Sequence, residues 1–121
     1  MATPISSILT SVKKYLGLAE EYDVFDPDII DDINTVFTTL YQMGVGPKDA
    51  PFEISDSSSK WEDFITGPKL NAVRSYMYKK VRLMWDPPTT GSTQSAFEQQ
   101  CQELEWRLNV MSDPEFNYDV Y

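Results

Sequence analysis

The side chains best suited to chemistry are carboxylates. Asp23, Asp26, Asp28, Asp31 and Asp32 crowd into ten residues. Such a run could suggest a calcium loop. An EF-hand loop, however, needs a glycine at its sixth position and a glutamate at its twelfth, and this run supplies neither. The simpler reading is acid gathered at the start of a helix, where the macrodipole favours negative charge by about 0.3–1 kcal/mol per residue. Glu62 with Asp63, and Glu103 with Glu105, are the other carboxylate pairs. Residues one or two apart on a helix face different ways, so neither pair can converge on a substrate as an acid and a base must.

Nucleophile systems fare no better. The chain has no histidine, which removes Ser-His-Asp and Cys-His arrangements, imidazole metal ligands and the usual pH switch. Its one cysteine, Cys101, cannot form an internal disulfide or a cysteine-rich zinc site. Cys101 falls in an apolar stripe with no basic neighbour in sequence, so a buried, inert thiol is expected in a reducing compartment. No cofactor and no catalytic site are expected. A small enzyme would need a cleft holding carboxylates with strongly displaced pKa values.

Charge is the stronger signal. Ten Lys and Arg against nineteen Asp and Glu leave a net charge of −9 over 121 residues. Residues 19–63 carry twelve acids and two bases, residues 64–85 carry five bases and no acid, and residues 86–121 carry seven acids and one base. The basic block contains Lys69, Arg74, Lys79, Lys80 and Arg82. It reads either as a solvated helix flank or as a face for an acidic partner, including the acidic part of another copy. Binding to DNA fits poorly with so negative a molecule. The last ten residues mix Asp113, Glu115 and Asp119 with Phe116, Tyr118 and Tyr121. Disordered tails are usually poor in aromatics. This one is expected either to order on another surface or to fold back on its own helices.

The elements that must position these groups are helical. Ile5, Ile8, Leu9, Val12 and Leu16 form one stripe, with Thr3 as cap, Pro4 at the first position and Gly17 as terminator. Asp26-Pro27 opens a second helix with Ile29, Ile30, Ile33, Val36, Phe37 and Leu40 on one face, ending at Gly44. Residues 45–58 read as a connector in which Phe52 and Ile54 alternate with polar neighbours, so a projecting loop or hairpin arm is expected. Ser59 and Glu62 have capping-box spacing and start a short turn through Ile65. Leu70, Val73, Met77, Val81 and Met84 mark a third long helix over 68–85, stopped by Asp86-Pro87-Pro88. After a flexible linker at 89–93, Phe97, Cys101, Leu104, Leu108 and Met111 mark a fourth from about Gln94 to Met111. The expected architecture is an all-α bundle of four main helices plus a short one: a domain over 1–111 and an extended acidic tail over 112–121. No segment reaches the ~18 apolar residues of a membrane span. Lys13 and Lys14 follow the apolar residues of the N-terminus, the wrong order for a secretory signal.

Four segments resemble the head-to-tail connector, or adaptor, proteins of tailed bacteriophages. They are Ile8 to Leu18; Phe25-Asp26-Pro27-Asp28-Ile29-Ile30 with Ile33-Asn34 and Gln42 to Pro47; Trp61-Glu62-Asp63-Phe64 with Leu70 to Pro88; and Glu103 to Val110. The likeness runs through residues 5–110 and its motifs are structural. It implies a helical virion subunit assembled in the host cytoplasm and forming a ring, expected to be twelve-membered, between the portal protein and a tail-side stopper or tail-terminator protein. Genome DNA would pass through without specific binding, and no membrane is involved. On this reading Lys79, Lys80 and Arg82 are expected at a subunit or partner contact, and Phe116, Tyr118 and Tyr121 are expected to dock the tail. The alternative is an acidic DNA mimic that inhibits a nuclease or a DNA-binding protein, although the basic block interrupts the phosphate-like spacing such a mimic needs.

Overall fold

A computed structural model describes residues 6–111, except for the side chain of Met111. Thr3, Pro4, Ile5 and the tail residues Phe116, Tyr118 and Tyr121 lie outside them. The described residues form five helices and no strands: α1 Ile8–Tyr15, α2 Asp26–Gln42, α3 Trp61–Phe64, α4 Leu70–Trp85 and α5 Gly91–Met111.

Helix α1 starts later than its stripe suggests. Ser7 is the cap, and its hydroxyl accepts from Thr10 N–H at 3.3 Å. A tertiary contact sets this start, displacing the expected Thr3-Pro4 entry. Residues 6–8 pair antiparallel with 59–61, Ile8 N–H donating to Ser59 O and Trp61 N–H to Ser6 O. The Ser7 hydroxyl also donates to Ser57 O at 2.8 Å. The stop matches expectation. Gly17 takes φ +82°, so Leu18 N–H reaches Lys13 O and Gly17 N–H reaches Lys14 O. These are the two bonds of a Schellman motif, and Gly44 closes α2 in the same way with Val45 and Leu40.

Phe25, not Asp26, stands at the cap position of α2, and Asp26 is already helical. Its carboxylate is committed elsewhere. Asp26 Oδ1 lies 2.9 Å from the Lys13 ammonium, which is 2% exposed and also donates to Glu20 O at 2.8 Å. This pair, buried on the Lys13 side and half-buried at Asp26, straps the 16–25 loop across the gap between α1 and α2. In α3 the cap shifts by one residue, and Asp63 Oδ2, not Glu62, accepts from Lys60 N–H at 2.9 Å. Helix α5 begins at Gly91, three residues before the expected Gln94, because Thr90 O already accepts from Gln94 N–H.

The core is one cluster. Ile8, Leu9 and Val12 of α1, Ile29, Ile33, Val36, Phe37 and Leu40 of α2, Val73, Tyr76, Met77 and Val81 of α4, and Cys101 and Leu108 of α5 are all buried in it. Helix α4 is the hub, packed against α1, α2 and α5. The expected projecting arm at 45–58 is instead folded down. Ile54 is buried, and its N–H and C=O are both bonded by the Asn34 side chain, at 2.8 and 3.0 Å. Phe52 packs against Phe37 and Phe64, with ring centroids 5.1 and 5.3 Å away. A segment with two such anchors gains more from apolar contact with α2 than from pairing with itself as a hairpin.

Candidate functional site

The basic block does not form a single patch. Lys80 faces α5, with its ammonium 3.6 Å from Glu105. Glu105 also accepts from the buried Tyr76 hydroxyl at 2.8 Å, so one carboxylate clasps α4 to α5. Burial and this bond push the Tyr76 phenol far above its usual range. Arg82 reaches forward to the end of α4, donating to Asp86 O and lying 3.8 Å from its carboxylate. At about 100° per residue, Lys80 and Arg82 are about 160° apart around α4. Arg74 is committed internally, over the Trp61 ring at 5.5 Å and bonded to the Tyr78 hydroxyl. Lys79 makes no ion pair among the described residues and sits half-exposed between these flanks.

The Glu103–Glu105 pair diverges as expected. Glu105 faces α4, while Glu103 points outward to Arg107 at 2.6 Å. The acids at the start of α2 repel one another. Asp32, partly buried, is raised above the usual carboxylate range by desolvation and by Asp31 and Asp28. Cys101 is 2% exposed, and burial pushes its thiol up, away from the thiolate a nucleophile needs. No group of three His, Cys, Asp or Glu side chains that could hold a metal occurs among the described residues. No described helix is long and apolar enough to cross a membrane.

Three surfaces were not anticipated from sequence. The first is apolar. Tyr22, Val24 and Phe25, in the loop before α2, are exposed, and Phe25 packs edge-on against Trp85 at 5.5 Å and against Tyr22 at 5.9 Å. Val24 is 63% exposed. Three apolar residues within four positions between helices, outside either stripe, were the legible signal. The second is the outer face of α5, where Trp106 is 67% exposed beside the Glu103–Arg107 pair. Trp106 falls off the Cys101–Leu104–Leu108 stripe, and that offset alone predicts an outward ring. The third is a cleft of about 460 Å³ between the loop after α2 and the turn before α4, lined by Phe64, Ile65, Pro68, Lys48 and Lys69 among others. Its lysines are twenty-one positions apart, so no local pattern announced it.

These surfaces can bind and assemble; none brings an acid, a base and a nucleophile together. A family model described as "Phage connector protein" matches residues 8–115, from the first residue of α1 to beyond the end of α5. No curated protein and no solved structure matches the chain.

Proposed function

The chain belongs to the phage connector protein family, and on that premise we propose that it is the adaptor subunit of a ring, twelve-membered, that closes between the portal and a tail-side stopper or terminator. Membership supports a structural connector role in a phage. The ring, its neighbours and the DNA path are the proposal. The observation that carries it is the span of the family match, which takes in all five described helices.

The surfaces support the reading. A ring that closes head to tail needs two unlike, complementary patches on each copy. The Tyr22–Val24–Phe25–Trp85 patch and the outer face of α5 with Trp106 are unlike, exposed and carried by different elements. Large exposed apolar groups on a small domain mark interaction sites, and aromatics are favoured anchors there. A net charge of −9 suits a conduit through which duplex must slide. Tight phosphate contacts would tie binding to counterion release that passage must then reverse.

Within this reading Lys79, Lys80 and Arg82 contribute to a charged contact with a neighbour or the portal. Of the three, Lys79 is the most available, because Lys80 and Arg82 already face Glu105 and Asp86. Residues 112–121 form a separate docking tail, with Phe116, Tyr118 and Tyr121 as its anchors on the portal or a neighbour. Light scattering with and without purified portal tests both assignments. The parent chain is expected to join the portal. Lys79→Glu should weaken that association, and Phe116, Tyr118 and Tyr121 all changed to Ala should weaken it further. Unchanged association in the charge variant would remove the basic-block contact, and unchanged association in the triple variant would remove the tail's role.

A further inference from the structure

We propose that the cleft between residues 44–48 and 64–69 receives this chain's own acidic, aromatic tail, residues 112–121, in the free subunit. The first argument is position. The short 86–90 connection makes α5 run antiparallel to α4. Glu105 contacts both Tyr76 and Lys80, so it lies level with the middle of that turn. Six more residues, at about 1.5 Å each, bring the end of α5 to about one turn from Lys69 at the start of α4. The end of α5 therefore lies near the level of the cleft along α4. Ten residues extended reach roughly 33 Å, enough to cross one helix end about 10 Å wide and lie along the cleft.

The second argument is chemistry. Lys48 and Lys69 share the cleft, and the Lys69 ammonium is held below its usual range by burial first and by repulsion from Lys48 second. The two lysines make this edge of the cleft positive, which matches an acidic occupant. Asp113, Glu115 and Asp119 supply three carboxylates. The wall of Phe64, Ile65 and Pro68 is apolar, and Phe116, Tyr118 and Tyr121 supply rings for it. In an extended segment Asp113, Glu115 and Asp119 fall on one side, toward the lysines, and Phe116 and Tyr118 on the other, toward the wall.

This inference concerns the unassembled chain and stands or falls apart from binding to a portal. The test is zero-length cross-linking of the full-length protein with a water-soluble carbodiimide, which joins carboxylate to ammonium only where the two touch. Equal amounts of light and isotopically heavy protein are mixed first, and the linked peptides are read by mass spectrometry. The expected result is Asp113, Glu115 or Asp119 joined to Lys48 or Lys69, in all-light and all-heavy pairs only. Mixed light–heavy pairs would place the tail in another copy's cleft and overturn the proposal. So would a tail joined only to other lysines, or to none.

Discussion

At the scale of single residues, buried polar groups carry more than their number suggests. Trp61 is 1% exposed, and its Nε1–H donates to the buried Ser11 hydroxyl at 2.9 Å, which in turn donates to Ile8 O. Ser11→Ala leaves the indole N–H without a partner in the core, and an unsatisfied buried donor costs about 1–3 kcal/mol. Denaturant unfolding should show that loss with an unchanged m-value. Asp32 works in the opposite direction. Its pKa is raised in the fold, so the ionised form opposes folding above that pKa, and the penalty disappears as pH falls and the group is protonated. Asp28 and Asp32 are an i, i+4 like-charge pair, which costs a few tenths of a kcal/mol, about 0.2–0.5. Asp32→Asn should therefore raise Tm slightly near neutral pH, and the gain should vanish as pH falls through the carboxylate range. An equal gain at acid pH would contradict the assigned repulsion.

At the scale of elements, the connector of residues 45–58 depends on one side chain. The Asn34 amide holds both backbone polar groups of Ile54. Asn34→Ala removes two bonds worth roughly 0.5–1.5 kcal/mol each net. Hydrogen exchange should show the Ile54 amide opening well before the amides of α4, whereas co-exchange with α4 would mean that the aromatic packing of Phe52 holds the segment unaided. What was legible in sequence divides along the same line. The α2 stripe emerges with five of its six residues buried, and only Ile30 half-exposed, because a period of 3.6 is a local property of the chain. The stops at Gly17 and Gly44 were equally local. The starts were not. Ser7 caps α1 because the 6–8 segment pairs with 59–61, and Asp26 leaves its expected cap to meet Lys13, so both depend on contacts distant in sequence. The same reason hid the Lys48–Lys69 cleft, and it turned one basic block into separate flanks of α4.

At the scale of the whole molecule, a small helical domain spends its apolar surface in two ways. Most of it closes one core around α4. Among the described residues, part of it stays outside, at Tyr22, Val24, Phe25 and Trp106, and only the Tyr22–Phe25–Trp85 ring contacts tie that part to the fold of a single copy. Exposed apolar groups of this kind mark interaction surfaces. Local charge pairs such as Glu103–Arg107 are exposed and worth little on their own. The central claim is that this chain works as a member of a collar, and imaging the intact phage particle tests it most directly. The account predicts density for this fold repeated around the DNA axis between capsid portal and tail, with the Tyr22–Phe25 patch and the Trp106 face covered by neighbours. A particle whose portal meets the tail with no copy of this chain between them, or in which both surfaces face solvent, would contradict it.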